Sequence, residues 1–321
     1  MQASEPVNIS DHLLRLSFWA LGDLHYRAVP AWNELHLQRL TPLFEDLHAL
    51  WGKEGAPAFC VSPGDIVDTC ALTNYEFARA ALERQLGDIL FYPGIGNHEY
   101  YGLESEDPDL MAETFTSVWE KPLRYAWRAG DVICIMLDYP DPFKLQDPAL
   151  VFISQEALTF LDKTLAENAA DPAIIFLHCP LRNTVLDRDP EQYRDYNSLQ
   201  SFFSPENSQE VRDILARHSN ACLFLSGHTH SGWEAPNLVV TETLGGHPVT
   251  FVNLMSPWYT GTHTGPRLSQ DQASIQYVPD DPDVVTSFSV RVYHEQASIR
   301  VREHRTHRWL KEWIVPIKNK P

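Results

Sequence analysis

The chain has 321 residues, 44% of them hydrophobic and 21% charged, which is enough apolar content to bury one large core or two small ones and excludes a disordered polymer. Twenty-five lysines and arginines against 43 aspartates and glutamates leave a net charge of -18. A field of that sign repels polyanions and excludes an extended nucleic-acid track, but not a small phosphate ester, because a bound divalent cation reverses the sign locally.

In chain order, residues 1–11 carry neither the basic nor the apolar region of a signal peptide. Residues 14–21 are an apolar run, read as a strand, that ends at Asp23-Leu24-His25. Leu40, Leu43, Phe44, Leu47, Leu50 and Trp51 recur at the spacing of an amphipathic helix. A second strand over 58–61 leads to Gly64-Asp65-Ile66-Val67-Asp68, and 75–85 reads as a helix. A short strand over 89–92 leads to Gly96-Asn97-His98-Glu99. Residues 132–137 are another buried run, and Ser154 can cap a helix that carries Leu158, Leu161 and Leu165. A strand over 173–177 ends at His178. Asn207 and Glu210 have the spacing of a capping box before a helix through Leu215. A strand over 222–225 ends at Gly227-His228-Thr229-His230.

Further on, 249–254 is extended, and Phe288, Val290, Val292, Ile299 and Val301 alternate with polar residues about a turn at 295–297, as in a hairpin. Long loops are expected over 100–109, 139–148, 181–206 and 259–283, lengths that usually carry function. Continuous apolar strands separated by helices indicate an α/β fold with its sheets covered by helices. The five cysteines are Cys60, Cys70, Cys134, Cys179 and Cys222, an odd number without a CxxC pair. Reduced core thiols in a cytoplasmic setting are expected. No apolar run approaches the length of a membrane span.

Five scattered segments, each at a strand end, are built from metal-ligand residue types. Asp23 and His25, two residues apart, can reach one cation. Gly64 lets the backbone turn at the strand tip, and Asp65, with two carboxylate oxygens, can bridge two cations. Asn97 offers a neutral carbonyl oxygen to a second metal, and His178, His228 and His230 complete the set. Nitrogen and oxygen donors without a thiolate favour two divalent or mixed-valence ions, Mn, Fe or Zn, with no organic cofactor. Asp-x-His or Gly-Asp alone is a common coincidence; recurrence of such motifs at five strand ends is not.

In their order, over residues 23–230, these segments resemble the calcineurin-like metallophosphoesterase superfamily. Gly227-His228-Thr229-His230 and His178-Cys179-Pro180 look closest to its cyclic-nucleotide phosphodiesterase-like branch. The resemblance implies a four-layer αββα sandwich of two mixed β-sheets flanked by helices. A catalytic domain would span 12–260, with 261–321 a loop and strand extension that completes or extends the second sheet. It implies Asp23, His25 and His230 on a first metal, Asn97, His178 and His228 on a second, and Asp65 between them. His98 would be the general acid or a phosphate contact, oriented and kept protonated by the Asp68 carboxylate. Purple acid phosphatases carry a tyrosine ligand where Asp68 stands, and Ser/Thr protein phosphatases carry Arg-Gly where Thr69-Cys70 stand, so neither branch is implied.

The expected activity is dinuclear metal-dependent phosphohydrolysis. Hydroxide between the cations would attack a phosphodiester of a small substrate such as a cyclic nucleotide, and His98 would protonate the leaving alkoxide. A phosphomonoesterase or pyrophosphohydrolase would use the same centre. A non-catalytic scaffold is the alternative class, and Asn97 beside His98 argues against it. Substrate contacts are expected from Asn97, His98 and His263, the last in the Thr262-His263-Thr264-Gly265 loop. Glu99 reads as a loop anchor, Cys179 as a buried inert thiol, and Tyr100, Tyr101, Trp258 and Tyr259 as core packing before base stacking. The partner is a small phosphate ester, with no membrane; the C-terminal strands would either join a homodimer or close a sheet.

Overall fold

The computed structural model describes residues 14–102, 107–139, 151–186, 197–199, 201–232, 235–257, 267–268, 275–276 and 284–317. The first part runs β1 (Leu14–Ala20), α1 (Pro30–Glu54), β2 (Phe59–Ser62), α2 (Leu72–Leu86), β3 (Leu90–Pro93) and α3 (Pro108–Trp119). The middle runs β4 (Tyr125–Ala129), β5 (Val132–Met136), α4 (Gln155–Glu167), β6 (Ala173–Phe176), α5 (Ser208–Arg217), β7 (Ala221–Ser226), β8 (Val239–Leu244) and β9 (His247–Asn253). The last part is β10 (Arg267–Leu268), β11 (Ile275–Gln276), β12 (Thr286–Tyr293), β13 (Gln296–Glu303) and β14 (Arg308–Pro316).

Two six-stranded mixed sheets result, in the orders β14-β13-β12-β1-β2-β3 and β4-β5-β6-β7-β9-β8, and β10 pairs separately with β11. Successive side chains of a strand point to opposite faces, so a strand buried on both faces must be apolar throughout. In β1, Trp19 faces Leu43, Leu47 and Trp51 of α1, whereas Phe18 and Ala20 face the other sheet. Cys60 and Val61 of β2 divide in the same way. In the second sheet, Cys134, Met136 and Phe176 point inward between the sheets, while Ile133, Ile135 and Ile175 meet Leu158 and Leu161 of α4 and Val211 and Leu215 of α5. Three apolar layers thus separate four layers of structure, the expected αββα sandwich.

The C-terminal strands correct one expectation. They do not extend the second sheet: β12 pairs antiparallel with β1, from Leu14 opposite Tyr293 to Ala20 opposite Phe288. The reason is their alternation, which sends Phe288, Val290 and Val292 into the layer between the sheets beside Phe18. Ser154 caps α4 as expected, accepting from Ala157 N at 3.1 Å. Asn207 stands at the N-cap of α5 but makes no side-chain capping bond; its amide accepts from Ile153 N and donates to Ile153 O, both at 2.9 Å. The backbone of Ile153 lacks a strand neighbour, and the side-chain amide supplies both partners. Beyond the elements expected from the sequence are α3, the short pair β10–β11 within a stretch expected to be a loop, and the three edge strands β4, β8 and β14. The three strands are sheet edges whose burial is partial and irregular, so they have no continuous apolar run.

Candidate metal centre

β1, β2 and β3 run parallel, as do β6 and β7, so the loops that follow them open at strand ends of the same sense. Those loops hold the five motifs. Four expected ligands have left-handed backbone: His25 (φ 49), Asp65 (φ 52), His228 (φ 72) and His230 (φ 48). A non-glycine residue there costs about 1–3 kcal/mol and persists only where its surroundings dictate it. The glycines serve closeness instead. A Cβ on Gly64 would lie 2.7 Å from His178 Nδ1, and one on Gly227 would lie 2.7 Å from Asp23 Oδ1.

Other groups hold these loops in place. Glu99 is fully buried and accepts from the backbone N–H of Asp65 (2.9 Å), Ile66 (2.8 Å), Val67 (3.0 Å) and Gly96 (2.6 Å). It thereby ties the second motif to the third, as the anchor role requires. Burial and the Asp65 charge push its carboxyl up to about 7, against the pull of the Val67 and Gly96 N–H groups. From α1, Trp32 Nε1 donates to His25 O at 3.0 Å and His36 Nε2 to Leu24 O at 2.7 Å. After β9, Ser256 Oγ donates to Asp23 O at 2.6 Å.

The ligand atoms converge in overlapping groups. His25, Asp65 and His230 place one ligand atom each within 4.8 Å of one another, and so do Asp65, His178 and His228. Asp65 belongs to both groups, the position of a bridge. His178 Nε2 lies 3.1 Å from Asn97 Oδ1 and 3.2 Å from Asp65 Oδ2. The Asp23 carboxylate lies 3.4 Å from His178 Nδ1 and accepts from His228 N at 3.1 Å, so it sits against the second group, whereas the close group of His25 and His230 is completed by Asp65. His228 Nε2 can only donate to Phe202 O, at 3.0 Å, which leaves the Nδ1 lone pair as the one that could meet a cation.

Charge and burial set the protonation of these groups. Burial opposes the Asp65 carboxylate, yet His178, His98 and His25 outweigh it and hold Asp65 well below the usual range. Burial also opposes a charged His178, but Asp65 and Asp23 raise it to about 9. His228 falls to about 3 through burial and the neighbouring His178. His25 is lowered by burial and by His98. Burial raises Asp23, partly offset by His230 and His178.

These residues fit metal ions. His25 Nε2 and His230 Nε2 face each other at 3.1 Å, and a cation accepts from two imidazole lone pairs where one shared proton serves only one contact. His178 Nδ1 is buried without a hydrogen bond among the described residues. The donor set is nitrogen and oxygen throughout, suited to borderline ions.

His98 stands at the rim with 24% of its side chain exposed, its ring 4.4 Å from that of His25. Its Nδ1 donates to the Asp68 carbonyl at 2.7 Å. The Asp68 carboxylate, expected to orient it, lies 3.9 Å from that nitrogen and instead accepts from Arg27 Nη1 at 2.8 Å. Asp68 therefore orients His98 through its main chain, because the Arg27 guanidinium claims its side chain. Burial opposes protonation of His98, but Asp65 and Asp68 raise its pKa. His25, Asp68 and His98 form a further close group.

The structure thus brings together Asp23, His25, Asp65, Asp68, Asn97, His98, His178, His228 and His230. His263 lies outside the described residues, as do Trp258 and Tyr259. Tyr100 is core, and Cys179 is buried with its thiol pushed up by burial. Sequence reasoning missed Arg27, whose only sign was a basic residue two positions after His25. It also missed the Phe202 carbonyl, which had none.

A family profile described as calcineurin-like phosphoesterase matches residues 16–232, more than half of the chain. No curated protein matches. Among solved structures, a dimetal phosphatase from Danio rerio superposes with a TM-score of 0.59 at 15% identity, covering 95% of this chain and 100% of that one. GAP50, the anchor in the inner membrane complex of Plasmodium, gives 0.55 at 14% identity over 96% and 90% of the two chains. PhoD gives 0.52 at 10% identity over 95% and 69%. At these identities the likeness is one of fold.

Proposed function

We propose that this chain, which belongs to the calcineurin-like phosphoesterase family, is a dinuclear metal-dependent phosphoester hydrolase that acts on a diester of a small substrate, such as a cyclic nucleotide. The observation that carries the reading is the pair of candidate ligand groups sharing Asp65, with the partly exposed His98 beside them. Asp23, His25 and His230 would hold one ion, and Asn97, His178 and His228 the other, with Asp65 common to both. When bound, such ions polarise a phosphoryl group and lower the pKa of water.

The chain's own part in the reaction follows from His98. Its Nδ1–H is fixed on the Asp68 carbonyl, so Nε2, 4.0 Å from Asp65 Oδ2, is the atom that can face substrate. Asp65 and Asp68 favour its protonated form, which suits a donor of a proton to a departing alkoxide. Asn97 and His98 would contact the phosphoryl group. The negative surface favours a small substrate over a polymer.

Purified protein with Mn²⁺, given matched chromogenic mono- and diesters, tests the substrate class. A strong monoester preference would replace the diesterase reading with that of a phosphomonoesterase, and cleavage of pyrophosphate bonds alone with that of a pyrophosphohydrolase. His98→Ala should lower kcat by about 10²- to 10⁴-fold with metal content unchanged. Parent-level turnover in that variant, or activity that survives exhaustive chelation, would sink the mechanism. Binding of Mn²⁺ without turnover of any ester would favour the scaffold reading.

A further inference from the structure

Tyr101 follows the third motif and is half-buried, unlike Tyr100 in the core. Its hydroxyl lies 3.1 Å from Asn97 Nδ2, and its ring centroid 4.8 Å from that of His98. Two backbone bonds fix where the ring stands. Tyr101 N donates to His98 O at 3.2 Å, and Tyr101 O accepts from Cys70 N at 2.8 Å. The second of these reaches the segment just after Asp68, and an adjoining bridge joins Cys70 to Gly102. The tyrosine is therefore held by two of the motif loops at once.

The Asn97 amide lies between two neighbours. One edge, Oδ1, faces His178 Nε2 at 3.1 Å, and the other, Nδ2, donates to the Tyr101 hydroxyl. An amide can serve a cation only through its oxygen, and a half-turn would present N–H groups there instead. A hydroxyl can accept as well as donate, so Tyr101 satisfies the nitrogen edge whenever the oxygen edge is engaged. Phenylalanine would leave that N–H without this partner and the amide free to rotate.

We propose that Tyr101 is a positioning residue: by accepting from the Asn97 amide nitrogen it holds the amide plane with the carbonyl oxygen toward His178, and so sets the affinity of the second metal position. The inference rests on the dinuclear reading above. It also gives the Thr69-Cys70 segment a task, since Cys70 holds the Tyr101 backbone.

The test is calorimetric titration of the chelator-stripped full-length protein with Mn²⁺ alone, in wild type, Tyr101→Phe and Asn97→Ala. Asn97→Ala identifies the second binding event by weakening it. Tyr101→Phe should weaken the same event by about 10- to 100-fold, the usual effect of losing a group that orients a ligand. It should leave the first event and the melting temperature unchanged. Wild-type affinity for both ions in Tyr101→Phe would overturn the proposal, and so would equal weakening of both events, which marks a merely structural role. A single binding event in wild type would instead overturn the dinuclear reading itself, so the two failures are told apart.

Discussion

His178 lies with Nε2 3.2 Å from Asp65 Oδ2 and Nδ1 3.4 Å from Asp23 Oδ1, and these carboxylates overcome burial to raise it to about 9. In the metal-free protein at neutral pH it is therefore protonated, and an incoming ion must displace that proton. Mn²⁺ affinity should fall as pH drops below about 9 and level off above it. Calorimetry in two buffers of different ionisation heat should register proton release at pH 7; none would contradict the assignment. His228, lowered to about 3, is neutral throughout this range and adds no slope. Glu99 makes a second prediction. Glu99→Ala would strip the acceptor from four buried N–H groups, and a loss of about 3 kcal/mol or more is expected in urea unfolding. At this scale most of the site was legible, because ligand chemistry belongs to residue type. Tyr101 was not: it stands only four residues after Asn97, but the place of its ring also depends on the Cys70 contact, which joins two distant segments.

At the scale of elements, the β13–β14 turn is pinned to α1. Asp46 accepts from Arg302 Nε and Nη2, both at 2.7 Å, from His304 Nδ1 at 2.9 Å and from His307 Nδ1 at 2.6 Å. His304 Nε2 meets Ser287 Oγ at 2.7 Å, and Trp19 Nε1 donates to that hydroxyl at 2.5 Å. The order serine, histidine, aspartate is that of a nucleophilic triad, but Ser287 and His304 are wholly buried, so no substrate reaches them. The network joins β1, β12 and the hairpin turn to α1. Asp46→Ala would leave Arg302 buried without its carboxylate, and a loss of about 3–5 kcal/mol is expected, read as a lower melting temperature. A change within 1 kcal/mol would show the pin to be dispensable. Asn207 marks a limit of local signals: its spacing to Glu210 fits a capping box, but the Ile153 backbone offered the amide two hydrogen bonds instead.

For the whole molecule, residues 284–317 supply half of a sheet whose middle strand leads to Asp23. A chain ended at residue 260 would expose the β1 edge and remove Phe288, Val290 and Val292 from the layer between the sheets. Such a chain should neither melt cooperatively nor bind Mn²⁺. If it did both, the strands after 284 would be an appendage and not part of the catalytic unit. No helix among the described residues is long and apolar enough to cross a membrane.

What the sequence determined by itself was the set of candidate ligand types and the α/β class, because both rest on local features: donor chemistry, and apolar runs that must be buried on two faces. Only the tertiary structure decided that β12 lies beside β1, that Asp68 holds His98 by its carbonyl, and that Glu99 ties two of the loops together. Each of these depends on which distant backbone group lies within about 3 Å, the range of a hydrogen bond, and no spacing along a chain encodes that.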